Sequence, residues 1–288
     1  MAFSADILKI DPRQELERLS EFVVNEVRFV YRRKGIVVGL SGGIDSACMA
    51  AIAVNAIGKD RVVGLVMPER ESNPISSEFA TRHAQALGIE HRTIDITSTV
   101  DSVVNYAKRD EFIQSLVPEY QPGYKYNIAL PTDLLERAAL TYYKLQVQLP
   151  DGQIKTQRLD LEGFRTITSF VLGDFCKYGD GGTDMEPLAH LYKNQIYQLS
   201  EYLNVIPEII ERQPSPDTFS LPVSDQEFFF RIPFDQLDHL LYGWEHDVPP
   251  SDVASAIGLP VEAVERAYQD FKSKNSATAH LREMAHTL

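Results

Sequence analysis

Between Pro12 and Arg33 the residues Leu16, Leu19, Phe22, Val23, Val27 and Val30 recur at helical spacing. Asp11 followed by Pro12 has the form of an N-cap with proline at the first helical position, so a first helix is predicted there. The run Gly35-Ile36-Val37-Val38-Gly39-Leu40 is short and apolar, the form of a strand buried on both faces. Ala47 to Ile57 is alanine-rich and apolar and stops at Gly58, which predicts a buried helix. A second strand follows over Arg61–Met67, a second helix over Ser76–Leu87 ended by Gly88, and a third strand over His91–Ile96. Strands and helices alternating through short links predict βαβ units, a parallel doubly wound sheet and right-handed crossovers. Ligands bind such sheets at the carboxyl ends of the strands. The two unusual loops, after Leu40 and after Met67, both lie there.

Residues 98–142 read as mainly helical. The stretch Lys144–Leu161 alternates on either side of Pro150-Asp151-Gly152, which predicts a hairpin. A helix is expected from about Arg165 toward the glycine-rich segment 177–184, and another over His190–Leu203. Pro214, Pro216 and Pro222 mark residues 212–226 as a loop, and Ser251–Ile257 with Pro260–Phe271 read as a helical pair. No internal repeat or low-complexity tract is visible. One domain over 1–288 is expected, with 232–288 as its helical tail.

Composition narrows the function classes. A formal net charge of -13 repels a phosphate backbone, so nucleic acid is not the expected partner. The two cysteines, Cys48 and Cys176, have no metal-ligand spacing and form no disulfide framework, which fits a reducing compartment. The start of the chain has no signal-peptide core, and no apolar run reaches the roughly 20 residues that span a bilayer. A cytoplasmic protein without a membrane segment is expected.

The strongest chemical signal is Ser41-Gly42-Gly43-Ile44-Asp45-Ser46 between a predicted strand and a predicted helix. Adjacent glycines let backbone N–H groups approach an anion, and the helix start adds partial positive charge. Ser41 and Ser46 bring hydroxyl donors, and Asp45 suits a magnesium ion bridging to phosphate. The Gly-Lys-Ser/Thr ending of a Walker A loop is absent.

This hexapeptide resembles the PP-loop of the N-type ATP pyrophosphatases, which cleave ATP between the α and β phosphates. Met67-Pro68-Glu69-Arg70-Glu71-Ser72 resembles the second-strand loop of the ammonia-dependent NAD synthetases, and Lys177-Tyr178-Gly179-Asp180-Gly181-Gly182-Thr183-Asp184-Met185-Glu186-Pro187-Leu188 resembles that family's second phosphate-side loop. Leu191-Tyr192-Lys193, Gln213-Pro214-Ser215-Pro216-Asp217 and Asp225-Gln226-Glu227 fall where the family has similar residues. The resemblance extends over roughly residues 12–285.

The resemblance implies an adenine nucleotide alpha hydrolase-like, Rossmann-like fold and a homodimer. It implies that Leu40, Ser41, Gly42, Gly43, Asp45 and Ser46 hold the ATP phosphates, with Asp45 a Mg2+ ligand. The backbone around Val66 and Met67 would meet adenosine, Lys177 would balance phosphate charge, and Asp180 would order the second loop. Asp217 would stand near the ammonia and acceptor site, and Asp45, Lys177 and Asp217 are the expected catalytic residues. The implied reaction is adenylation of a small-molecule carboxylate, nicotinate adenine dinucleotide, followed by ammonia displacing AMP. Free ammonia or a separate glutaminase partner would supply nitrogen.

Two departures from the family pattern stand out. Ahead of the second loop the family carries a glutamate that is a metal ligand, and Ser169 stands in its place. Glu162 or Asp174 then substitutes, or the metal site is weakened. After Asn127 the family has arginines that contact the dinucleotide, where this chain has Pro131 and Asp133. A carboxylate there would repel an anion, which leaves open an amide ligase for another carboxylate, or a nucleotide-binding pseudoenzyme. His280 and Arg282 lie in a tail that resembles the family only loosely and reads as a frayed helical end.

Overall fold

The computed structural model describes residues 3–103, 106–131, 133–136, 142–160, 162–164, 167, 182–217 and 219–279. The chain divides into two compact units, one of Lys9–Val103 with Met185–Pro222 and one of Met1–Leu8, Val104–Asp184 and Val223–Leu288.

The first unit begins with helix α1, Pro12–Asn25. The Asp11 carboxylate accepts from the amides of Arg13 at 3.0 Å and Gln14 at 3.2 Å, satisfying donors that a helix start otherwise leaves unpaired. A wider turn over Glu26–Val30 continues the helix, so the periodicity that runs to Val30 is accounted for. Strands β1 (Ile36–Gly39), β2 (Val62–Val66) and β3 (Glu90–Thr93) form a parallel sheet in that order, with Ile36 opposite Val62 and Val66 opposite Thr93. Helices α2 (Ile44–Ile57) and α3 (Pro74–Leu87) connect them, and α3 ends on Gly88 in the left-handed conformation, the usual helix stop. The sheet and its connections have the α/β form that the alternation predicts.

The apolar alanine-rich run explains the core of this unit. Ala47, Ala50, Ala51, Ile52 and Ala53 of α2 are all buried. They sit among Leu16, Leu19 and Val23 of α1 and among Ile196 and Leu199 of a later helix, here α6 (Lys193–Tyr202). Small side chains on α2 allow both helices to approach closely.

Helix α4 (Thr97–Val103) belongs to the first unit, and the second unit continues with α5 (Tyr106–Leu116). Residues Lys125–Ala129 then form a strand, β4, where the sequence reads as helical. Tyr126 and Ile128 alternate with Asn127 in a run too short to declare its own period, and pairing with a partner strand decides it. That partner is β5 (Tyr143–Gln148), which also pairs with β6 (Ile154–Leu159) in the expected hairpin. Tyr126, Ile128, Leu145, Val147 and Leu159 are buried in this antiparallel sheet. Helices α7 (Phe234–Glu245), α8 (Pro250–Ile257) and α9 (Val261–Ala277) enclose Leu237, Leu240, Val253, Val264 and Phe271. Of the helix expected from Arg165, all but Ile167 lies outside the described residues.

Candidate active site

The loop from Ser41 to Ser46 leaves the carboxyl end of β1 and enters α2. Leu40 is buried and its amide donates to the Leu65 carbonyl at 2.7 Å, so the ladder holds the chain up to the turn itself. The loop is then fixed by its own serines. The Gly43 amide donates to Ser41 Oγ at 3.2 Å, the Ser41 amide to Ser46 Oγ at 3.2 Å, and Ser46 Oγ to the Gly43 carbonyl at 3.0 Å. The two hydroxyl oxygens are 3.1 Å apart. No side chain caps the first turn of α2, whose N-cap is Gly43. Uncapped leading amides of a buried helix form an anion-binding end.

Gly42 is required on two counts. Its φ is +78°, and a Cβ there would lie 2.1 Å from the Ser76 carbonyl oxygen in the first turn of α3. The loop thus rests directly on the start of the next helix, and only glycine permits that approach.

Asp217 reaches the same first turn. Its carboxylate accepts from the Asn73 amide at 3.4 Å and lies 3.6 Å from Arg212, with its own backbone at φ +51°. Burial pushes the carboxyl above its usual range, while the Ser76 hydroxyl, Arg212 and Asn73 pull it back. Asn73 also caps α3 by accepting from the Ile75 amide at 3.2 Å. The glycine turn and Asp217 therefore share one anchor, the Asn73–Ser76 segment.

Asp45 occupies the first turn of α2, where a carboxylate is favoured by the helix dipole. Lys193 Nζ sits 2.6 Å from its Oδ2. Lys193 belongs to a stretch resembling the family, but a lone lysine at a helix start reads like any solvated surface charge, and residue type alone assigns it no role. Met67 is half-exposed just beyond β2, in a turn closed by the Glu69 amide donating to Ser72 Oγ at 3.1 Å. The Val66 carbonyl is taken by the Ile94 amide at 2.9 Å, and Met67 follows directly at the carboxyl end of the strand.

Lys177, Asp180, Ser169 and Asp174 lie outside the described residues, as do His280 and Arg282. Among the described residues no group of three or more His, Cys, Asp and Glu side chains is placed to hold a metal ion. Asp45 is instead a single carboxylate at the mouth of an anion-binding loop, which suits magnesium, an ion commonly held by one or two carboxylates together with substrate phosphates. Cys48 lies buried in α2, and burial pushes its thiol up to about 11, so it is no nucleophile.

In the other unit, Asp133 does not stand as an isolated anion. Arg231, 1% exposed, donates through Nη2 to Asp133 at 3.1 Å and through Nε to the Pro131 carbonyl at 2.8 Å. Both residues that depart from the family's arginines are thus held by one guanidinium.

The NAD synthase family model matches residues 15–120 and 160–285. An NH(3)-dependent NAD(+) synthetase from Mesorhizobium japonicum is 36% identical over 96% of this chain and 96% of its own. One from Thermotoga maritima is 30% identical over 82% of this chain and 89% of its own. Among solved structures, an NMN synthetase from Francisella tularensis matches with a TM-score of 0.60 at 20% identity, covering 97% of this chain and 99% of that one. An NH3-dependent NAD synthetase from Campylobacter jejuni, in complex with the nitrate ion, matches with 0.55 at 21% identity, covering 97% and 100%. At these identities the structural likeness concerns the fold. Loop, parallel sheet and sequence likeness agree, and the chain belongs to the NAD synthase family.

Proposed function

We propose that this chain is an ammonia-dependent NAD synthetase, an ATP-consuming ligase that forms the carboxamide of NAD from nicotinate adenine dinucleotide. The observation that carries the reading is the Ser41–Ser46 loop, seated through Gly42 on α3, in a chain 36% identical to a relative of that name. The dinucleotide carboxylate attacks the α-phosphorus of ATP and pyrophosphate leaves. Ammonia then adds to the acyl-adenylate, a proton is lost, and AMP departs.

In this reading the loop is a PP-loop. Ser41, Ser46 and the amides of Gly42, Gly43 and the α2 first turn bind the leaving phosphates, and Lys177 and Asp180 act from the second loop. Such a site works by positioning and by stabilising charge that develops on the phosphates. Magnesium, held by Asp45, supplies neutralisation of that charge when bound. Asp217, whose carboxyl burial pushes above its usual range, is the residue assigned in this reading to the ammonia and acceptor site. The pairing of Asp133 with Arg231 supports the dinucleotide as acceptor, because the charge that argued against an anion is already compensated. No described helix is long and apolar enough to cross a membrane. A cytoplasmic homodimer using free ammonia, or ammonia from a separate glutaminase, completes the proposal.

The test is pyrophosphate and NAD formation by purified protein supplied with ATP, magnesium, ammonium and nicotinate adenine dinucleotide. Pyrophosphate release that requires the dinucleotide, with NAD accumulating, is the expected result. Nucleotide binding with no turnover under these conditions would remove the proposal.

A further inference from the structure

The buried face of α3 consists of Ser76, Ala80, His83 and Ala84, at the spacing that places them on one side of a helix. Ala80 and Ala84 share a core with Ala47, Ala50 and Ala51 of α2, a seam of small side chains. His83 is the large side chain of that face. It is 1% exposed and brings its Nε2 to 3.1 Å from the Ala47 carbonyl oxygen. A carbonyl only accepts, so Nε2 carries the hydrogen and Nδ1 of the neutral ring carries none. Nδ1 is buried and has no hydrogen-bond partner among the described residues. Stranding a buried acceptor is a cost that an apolar side chain in the same seam would avoid. Positions that break such a rule are expected where a residue serves a site rather than stability.

α3 meets the glycine loop and its helix at two points, which act in opposite senses. A Cβ on Gly42 would lie 2.1 Å from the Ser76 carbonyl oxygen, so that contact is a stop that keeps α3 from coming closer. The His83 bond is attractive and ends on the first turn of α2, so it keeps α3 from moving away. Ser76 and His83 are seven residues apart, close to two helical turns, so stop and tether lie on one face of a rigid element. Ala47 belongs to the bonding of the loop itself. Its amide donates to the Gly43 carbonyl at 3.2 Å, and that carbonyl also accepts from Ser46 Oγ at 3.0 Å. We infer that His83 is a positioning residue for the proposed ATP site, its Nε2–H tethering α3 to the first turn of α2 so that the Ser41–Ser46 loop keeps the shape that receives phosphate. The inference rests on the reading of that loop as the phosphate site. A shift of about 1 Å takes an amide out of good hydrogen-bond range of an anion. One tether at the first turn therefore has leverage on every phosphate contact that the loop makes.

Two substitutions separate the donor from the bulk that carries it. Gln and Met have nearly the same length and volume, and only Gln donates a hydrogen bond. ATP titrated with magnesium and followed by calorimetry should bind His83→Met roughly tenfold more weakly than the parent, and His83→Gln within about threefold of it. In steady-state pyrophosphate release the same loss should appear in KM for ATP, with KM for the dinucleotide unchanged. His83→Met should unfold close to the parent's temperature, since it strands no polar atom and the Ala47 carbonyl stays within the α2 ladder. Should His83→Met fail to fold, His83→Leu makes the same comparison with His83→Gln. Parent affinity for ATP in the apolar variant, or equal weakening in the apolar variant and His83→Gln, would overturn the inference, because packing alone does not tell an amide from a thioether. Gly42→Ala separates this failure from that of the underlying reading. If Gly42→Ala binds ATP as the parent does, the loop is not the phosphate site and both fall. If it loses ATP while His83→Met keeps it, only the role of His83 falls.

Discussion

Two glycines at positive φ mark the contrast between the halves of this molecule. Gly42, in the unit with the parallel sheet, has φ +78° and its missing Cβ would collide with the Ser76 carbonyl at 2.1 Å. Gly152, in the β5–β6 turn, has φ +84° with nothing within 4 Å. The first is demanded by a tertiary approach that builds the candidate site, the second only by local turn geometry. The family model makes the same division, ending at residue 120 and resuming at 160, so that β4, β5 and β6 occupy the stretch it passes over. One unit is specified atom by atom around its loop, while the inserted sheet is specified by an alternation that many sequences would satisfy.

The largest effect should come from replacing these glycines by alanine. Gly42→Ala combines a left-handed backbone cost of about 1–2 kcal/mol with an overpacking cost of about 1–3 kcal/mol. It moves the loop off α3, and ATP binding and turnover should fall by roughly a hundredfold or more. Gly152→Ala meets only the backbone cost, about 1–2 kcal/mol, and turnover should be untouched. Equal loss of activity in both variants would erase the contrast. Calorimetric ATP titration beside thermal unfolding reads both quantities.

Next in size is the buried pair of the second unit. Arg231→Met takes the guanidinium away from Asp133 and removes the donor to the Pro131 carbonyl. Removing one partner of a buried pair costs about 3 kcal/mol or somewhat more, which should appear as a clear fall in unfolding temperature. The double variant Arg231→Met with Asp133→Leu should recover a good part of that loss, since no charge is then stranded. If the single variant unfolds at the parent's temperature, the pairing does not hold the 131–133 segment.

These sites show what the sequence made legible and what it did not. The Asp11-Pro12 cap, the alanine-rich α2 and the glycine loop are local signals, each carried by neighbours in the chain, and the structure follows them. β4 was read as helix because five residues carry no reliable period and their partner strand begins fourteen residues later. Asp133 looked like a repelling charge because its partner stands 98 residues away. Lys193, separated from Asp45 by 148 residues, was invisible for the same reason. Residue type and spacing reveal a motif, but the counter-charges that give it a working balance come from the fold.

A smaller effect, confined to acid, distinguishes the loop unit further. His83 of α3 is 1% exposed and its Nε2 lies 3.1 Å from the Ala47 carbonyl of α2. Burial holds this imidazole below its usual value, with the backbone contact opposing. The unfolded chain therefore binds a proton that the folded one refuses, so stability from neutral His83 is complete above about pH 6.5 and is lost as pH falls below it. His83→Gln should flatten the stability profile in that window. A parent profile that is already flat between pH 7 and 5 would show that the buried imidazole does not control the α2–α3 contact.

The smallest effect belongs to the solvent-facing side of the inserted sheet. Lys144 stands directly across from Arg158, a like-charge pair of a kind that weakens cross-strand pairing. Both cations lie by the Tyr142 ring, Arg158 Cζ at 4.7 Å and Lys144 Nζ at 5.6 Å from its centre. The ring's attraction, about 0.5–1 kcal/mol per exposed cation, offsets the repulsion. Lys144→Glu exchanges repulsion for attraction but gives up one ring contact, so the net gain should be only a few tenths of a kcal/mol. In a Tyr142→Leu background there is no ring contact to give up, and the same substitution should stabilise by more. Urea unfolding of the four proteins measures this coupling. A gain that is no larger without the ring would mean that Tyr142 does not screen the pair, and that the sheet tolerates the like charges because water alone is enough.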